Sequence, residues 1–494
     1  MGNNAWFLMI PILVPLIGGI LVSACHMEQR KLRQGFVMAT VILNSVFVWA
    51  AIFWLQGKEF RLVELSQSMS LTLSLDGLGC VFAGMVAVLW PIASVYAFEY
   101  MKHEGGEVRF FKYYTMTYGV TLGVAFSHNL VTMYLFYEML TLITLPLVMH
   151  SKTDAAKAAG RKYLVFSIGG ASLAFIGMVF LYHVVGDATF TAGGMMAVQG
   201  LAAAKGQNLL TIFVITFIGF GVKAALFPFH GWLPTAGVAP TTVTALLHAV
   251  AVVKAGAFAV IRITYYLFGA DVLRRTWAQN VVLLLAAFTI VLGSAKALKE
   301  QHVKRRLAYS TISNLSYILL GAALMTPLGL QAALTHMIAH AFIKITLFYC
   351  AGSIIYKAHY EYVPQMVGLA GRMPVVMGCF TIGSLALMGI PLLPAFISKA
   401  GLLTGIVELG TPAAYIGMGA LLISAVLTAY YLFSIVIRAY FPGKGFDITS
   451  NQDARDPNWL MKGPLILLCI ICLLLGLFPG RLLEFFADIA AGLF

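Results

Sequence analysis

Four lysines and one glutamate, Lys223, Lys254, Lys344, Lys399 and Glu138, lie inside long apolar segments of this chain. An ionisable group at the centre of a membrane helix costs roughly 2.5–3.5 kcal/mol on insertion scales, so passive filling is a poor explanation for five of them, and proton movement is the chemistry they suggest. The clearest spacing is His336-x-x-x-His340-x-x-x-Lys344. Positions i, i+4 and i+8 share one side of a helix and cover about 12 Å along its axis, a distance over which protons hop through side chains and bridging water. A metal held by His336 and His340 is the rival reading, but the segment offers no partnering carboxylate.

The other embedded charges have informative surroundings. Glu138 sits mid-segment in Tyr134-Leu-Phe-Tyr137-Glu138-Met-Leu-Thr141; its alternative role is a packing contact satisfied by Thr141 or a neighbouring helix. Lys223 is followed five residues later by Pro228, which removes a helical hydrogen bond and crowds the preceding turn, so the helix should break there. Broken helices at membrane depth are tolerated where they are buried in protein or line a wet cavity. His248 precedes Lys254 by six residues, a rotation of about 240° beyond a full circle, so the two do not share a face. Lys254 is the better relay candidate; His248 equally suits a hydrogen-bonded core position. Gly389-Ile-Pro391-Leu-Leu-Pro394 repeats the interrupted-segment theme beside Lys399. Paired interruptions point to an internal inverted repeat, although lysine precedes proline in the first and follows it in the second.

These groups need membrane helices to hold them. The 494 residues are 60% hydrophobic and 10% charged, with mean hydropathy +0.89, and apolar runs near twenty residues recur throughout. Fourteen spans are expected, at about 6–24, 35–55, 76–98, 112–126, 129–149, 162–184, 209–230, 241–267, 278–298, 307–325, 328–355, 374–398, 413–441 and 461–480. Of the 32 Lys and Arg residues, 21 fall at loops following odd-numbered spans and 6 at the others. Positive loops stay cytoplasmic, which places both termini outside and the chain, as a multi-pass protein, in the plasma membrane. The same rule accounts for the net charge of +13 without nucleic acid as a partner. No basic region precedes the first apolar run, which therefore reads as a retained span. The longest connectors, about 56–75, 185–208 and 442–460, are too short for a soluble catalytic domain. Gly219-x-Gly221 lies in an apolar helix rather than after a strand, so no nucleotide site is expected. Cys469-x-x-Cys472 reads as span packing rather than a metal or cluster site. The chain is expected to be a transport module with no cofactor of its own.

Together, Phe136-Tyr-Glu138, Lys223-x-x-x-Phe227-Pro-x-His-x-Trp-Leu-Pro234, Lys254, His336-x-x-x-His340-x-x-x-Lys344 and Gly389-Ile-Pro-x-x-Pro-x-Phe-x-x-Lys399 resemble the antiporter-like subunits shared by respiratory complex I, Mrp sodium/proton antiporters and membrane-bound group 4 hydrogenases. The resemblance implies an all-α polytopic fold of about fourteen helices, with two inverted five-helix repeats and broken helices. It implies one membrane domain over 1–494: N-terminal helices to about 111, a first repeat at 112–270, a second at 278–441, and a C-terminal helix at 461–494. It further implies that Glu138 pairs with Lys223, that Lys254, His336 and His340 pass protons along a central axis, and that Lys399 ends the second half-channel. The chain resembles the shorter members, without the long lateral helix. Implied partners are homologous antiporter-like and small membrane subunits, with iron–sulfur or hydrogenase-like redox subunits if the complex is a redox-driven pump. The alternative is the D-type subunit of an Mrp sodium/proton antiporter. A purely structural anchor would not need so many buried charges.

Overall fold

A computed structural model describes residues 4–25, 27–66, 69–186, 188–195, 206–443 and 454–494. Much of the connectors at 185–208 and 442–460 lies outside those residues. The apolar runs form helices because a chain in hydrocarbon must satisfy its backbone hydrogen bonds internally. In order, these are α1 (Ile10–Ala24), α2 (Arg30–Trp54), α3 (Gly77–Glu104), α4 (Glu107–Ala125), α5 (Leu130–Val148), α6 (Asp154–Val185), α7 (Gly206–Gly221), α8 (Thr241–Phe268), α9 (Trp277–Lys299), α10 (Val303–Leu324), α11 (Pro327–Ala358), α12 (Pro374–Met388), α13 (Pro394–Leu409), α14 (Pro412–Tyr440), α15 (Trp459–Leu477) and α16 (Gly480–Ala491). Side-chain caps start several of them: Asp76 accepts from the Gly79 amide at 2.8 Å and Asn129 from that of Thr132 at 2.9 Å.

Each expected span has a helical counterpart, with three differences of detail. The connector at 56–75 contains an antiparallel hairpin, β1 (Glu59–Ser66) with β2 (Met69–Ser74), registered from Glu59↔Ser74 to Ser66↔Met69. Its second strand, Met69-Ser-Leu71-Thr-Leu73-Ser, alternates apolar and hydroxyl residues, a period-2 signal that mean polarity conceals. The crossing expected to end near 398 continues through α13 to Leu409. Beyond α15, Pro479 starts a separate amphipathic helix, α16.

Both expected breaks are present. α7 stops at Gly221, and the chain continues through turns and short helical pieces to Val238, with Ala225 in the left-handed region at φ +58°. α12 stops at Met388; Gly389 and Leu392 take φ of +88° and +72° before α13 resumes at Pro394. The broken crossing is thus fourth in each of two successive sets of five, α4–α8 and α9–α14. α8 is buried along its whole length and is interrupted by π-helical turns at Leu246–Val250 and Ile263–Phe268, a departure that re-aims side chains and frequently marks function. α11 is central, touching α3, α8, α10, α12, α13, α15 and α16.

One end of the bundle is fastened by a charge that hydropathy and spacing do not single out. Arg262, buried near the end of α8, makes a two-pronged ion pair with Asp76, one prong at 2.5 Å, and its guanidinium lies over the ring of Tyr266 at 4.5 Å. Removing Arg262 strands Asp76, whose side chain is 35% exposed, at a cost of about 1–3 kcal/mol. Arg262→Gln is therefore expected to lower the thermal unfolding temperature of the detergent-solubilised protein clearly; an unchanged transition would show that the pair does not hold this end together.

Candidate functional site: a buried row of lysines and histidines

The first pair is built where α5 meets the break after α7. Lys223, two residues beyond the end of α7, is buried; its Nζ lies 3.2 Å from Glu138 Oε1, donates to the Tyr137 carbonyl, and sits 3.3 Å from the centre of the Tyr137 ring. Tyr137 in turn donates from its hydroxyl to the Phe220 carbonyl at 3.0 Å, pinning α5 against α7. The Thr141 hydroxyl makes no hydrogen bond to Glu138; the carboxylate's partner comes from the neighbouring segment, as Lys223. Glu138 is 25% exposed whereas Lys223 is 1% exposed, and the pair therefore joins a partly exposed carboxylate to a fully buried ammonium.

The ladder on α11 is present, but each rung turns to a different helix. Lys254 Nζ on α8 lies 2.6 Å from His340 Nδ1. His336 Nδ1 lies 2.8 Å from Ser398 Oγ on α13. Lys344 donates to Ser310 Oγ at 2.7 Å and to the Leu307 carbonyl at 3.1 Å, both on α10, and Tyr431 of α14 donates to the same Ser310 oxygen at 2.6 Å. The two histidine rings stand 6.1 Å apart, centre to centre. His336 and His340 thus turn their Nδ1 atoms to separate partners, on α13 and α8. His248 packs 4.9 Å from the Phe348 ring, within electrostatic reach of Lys344 and beside the Leu233 backbone. Against the expectation from regular helical spacing, His248 and Lys254 both reach α11, at Phe348 and His340, because the π-helical turn at Leu246–Val250 departs from the 3.6-residue period.

Lys399 occupies the second break. It reaches back from α13 to donate to the Leu387 and Met388 carbonyls at 2.9 and 2.8 Å, where the end of α12 presents carbonyl oxygens and the negative end of its dipole. Its Nζ lies 5.5 Å from the Tyr317 ring centre, and that ring is 5.1 Å from His336. The two breaks hold their lysines differently: Lys399 reaches the carbonyl end of α12, whereas the Lys223 ammonium crosses to Tyr137 and Glu138 on α5.

The eight expected residues therefore fall into two groups. Lys254, His340, His336, Lys344, His248 and Lys399 form a connected buried cluster around α11, while Glu138 and Lys223 stand apart; among the described residues no hydrogen bond joins Lys223 to Lys254. α8 nonetheless packs directly on the Lys223 backbone at Gly256, where a side-chain carbon would come within 3.1 Å of Lys223 Cβ. Sequence reasoning missed Ser398, Ser310 and Tyr431, since hydroxyls are common in membrane helices and carry no spacing signal. It also absorbed Lys304 into the topology charges, although Lys304 is buried and donates to the Ala239 carbonyl at 2.9 Å.

All eight residues lie within the 127–428 stretch that matches the proton-antiporter membrane family described as NADH:quinone oxidoreductase/Mrp antiporter, TM. The chain belongs to this family. Relatives include NADH-quinone oxidoreductase subunit N of Desulforudis audaxviator, 30% identical over 496 residues, covering 96% of this chain and 97% of that one. NAD(P)H-quinone oxidoreductase chain 5 of Picosynechococcus is 31% identical over 88% of this chain and 67% of its own length. A probable K(+)/H(+) antiporter component of the A/B type from Rhizobium meliloti is 29% identical over 95% of this chain. The chain spans about half the length of that last relative (47%). The fold is shared with a chain of the Mrp complex from Dietzia (TM-score 0.85, 22% identity, 100% and 98% covered) and with one of the archaeal membrane-bound sulfane sulfur reductase (0.86, 23%, 100% and 98%). A chain of Thermus thermophilus respiratory complex I scores 0.81 at 21% identity, with 99% and 100% covered. The protein is thus a polytopic, antiporter-like membrane subunit, of the kind found in multisubunit complexes.

Proposed function

We propose that this chain conducts protons along its buried lysine–histidine row as one component of a redox-driven ion pump, of the NADH-quinone oxidoreductase or hydrogenase type, whose redox chemistry belongs to partner subunits. The observation that carries this reading is the Lys254–His340 contact, two proton-accepting nitrogens 2.6 Å apart in a fully buried site. An ammonium has only donors, so when Lys254 is charged His340 Nδ1 is the acceptor, and a single proton bridges the two. Around it, His248, His336 and His340 each bury a ring nitrogen with no protein partner, and such nitrogens are where water extends a proton path. Lys254 and Lys344 both face His340, with no carboxylate among the described residues at hydrogen-bond distance from any of the three. Adding one proton to this cluster makes a second costlier, which favours passing the charge on. Lys223, released from Glu138, would supply it; Lys399 would receive it.

A second reading, the D-type subunit of an Mrp sodium/proton antiporter, draws support from the K(+)/H(+) antiporter relative and the Dietzia fold match. The two readings diverge in their partners. Extraction in mild detergent, with mass spectrometry of every co-purifying protein and a spectrum for iron–sulfur absorbance, is expected to return redox subunits carrying iron. Recovery of antiporter-type membrane subunits without iron would instead establish the Mrp reading. We further propose that both termini face the outside of the plasma membrane, on the strength of the loop charge asymmetry.

A further inference from the structure

At the basic end of the bundle, where α1 and α2 meet the α3–α4 turn, lies a cavity of about 690 Å³ that the proton path does not use. Five cations, Arg30, Arg33, Lys102, Arg109 and Lys112, line it against two carboxylates, Glu28 and Glu107, for a net charge of +3. Glu107 is already committed, with one oxygen to Arg30 at 2.6 and 2.9 Å and the other to Arg33; Lys102 is committed to Glu99. That leaves Lys112 without an acidic partner among the described residues, and Arg109 engaged only at one nitrogen, by the His150 carbonyl. Arg33, 4% exposed, buries its Nε without a partner at the same cavity.

The backbone contributes as well. Gly105 and Gly106 take φ of +70° and +60°, and the 19-residue α4 begins after them with no side chain capping its first-turn amides. Free first-turn N–H groups beside a left-handed turn make a concave anion site. Arginine adds the planar fork that suits a phosphate, and lysine a point charge. Beside this polar cavity, Ile20, Leu21 and Leu32 expose 50%, 38% and 59% of their surface on α1 and α2. The ligand that matches is therefore amphiphilic, with a phosphodiester for the cations and amides and apolar chains for the flanking helices. Basic pockets between membrane helices hold lipid headgroups by this chemistry.

We propose that this cavity binds the headgroup phosphate of an anionic phospholipid, with Arg109, Lys112 and the first-turn amides of α4 as its ligands. Sequence alone spreads these cations over two loops and reads them as topology signals; their convergence on one cavity is a property of the fold. The test uses the full protein, delipidated in detergent, with the thermal transition followed on adding phosphatidylglycerol, phosphatidylcholine or soluble glycerophosphoglycerol. Binding to the folded state raises the transition with ligand concentration. Phosphatidylglycerol is expected to raise it, phosphatidylcholine to have little effect, and Lys112→Gln and Arg109→Gln/Lys112→Gln to lose more than half of the rise. Lys112→Gln alone keeps the test intact if loss of the Arg109–His150 contact impairs folding. Equal shifts from the two lipids, or variants that keep the full rise, would overturn the assignment. So would a soluble headgroup as effective as the lipid, which would make this a site for free phosphate esters, and so would protection only by acidic peptide, which would make it a docking site for protein.

Discussion

Lys254→Met should reduce proton translocation by about 100-fold or more in vesicles containing the assembled complex, while leaving the chain folded and incorporated. A positioned proton-transfer group contributes about 10²–10⁴-fold to a rate, and no other described side chain makes a hydrogen bond to His340 Nδ1. Stability should move little or even rise, because methionine fills a similar volume and exchanging a buried charge for an apolar isostere is often neutral or stabilising. That separation of function from fold makes the test sharp. His340→Gln should impair translocation comparably, and the double variant should be no slower than the worse single one, since residues acting as one unit are non-additive. Translocation at the parental rate in Lys254→Met would remove the central step of the proposed path.

The next largest effect is expected at the other group. Glu138→Gln keeps an amide oxygen near Lys223 but withdraws the charge; translocation should fall about tenfold or more, with the Lys223–Tyr137 carbonyl contact preserved. Two unit charges 4 Å apart interact by about 4 kcal/mol at an effective dielectric of 20, some three decades in proton affinity. The carboxylate is 25% exposed, so the full pair energy is not carried over, and tenfold is the discounted expectation. Lys223→Met should be at least as damaging, because it removes the proton carrier as well as its partner. Glu138→Gln/Lys223→Met should then lie near Lys223→Met alone. If Glu138→Gln pumped at full rate while Lys223→Met did not, the lysine would be a relay without a carboxylate switch. Rates are best followed as vesicle acidification normalised to the amount of assembled complex.

The α7 break and the α11 ladder show how far local sequence reaches. Pro228 bars regular helix back to about Ala224, because a missing amide and a ring clash act within one turn, and the left-handed Ala225 and the end of α7 at Gly221 complete the break; the i, i+4, i+8 row on α11 follows from helical geometry alone. The hairpin at 59–74 is hidden from any polar average, because the information in that segment lies in its alternation. Arg262 near the end of its span gives no signal of its own, for its partner Asp76 is 186 positions away in sequence. Ser398, adjacent to Lys399, is visible as a residue but not as the partner of His336 sixty-two positions earlier.

Hydropathy and the cost of burying charge determined the membrane class, the approximate spans, the positions of the breaks and the identity of the embedded titratable groups, since each depends on residues within a few turns of one another. Which nitrogen meets which was decided only by tertiary structure. Lys254 reaches His340 rather than His248, the three rungs on α11 diverge to α8, α10 and α13, and Lys399 folds back onto the carbonyl end of α12. The first of those pairings arises from how α8 packs against α11, and the others from how α10, α12 and α13 are set around them. A contact such as Lys254–His340, between residues 86 positions apart, is set by the crossing of two helix surfaces, and no spacing along either helix encodes it.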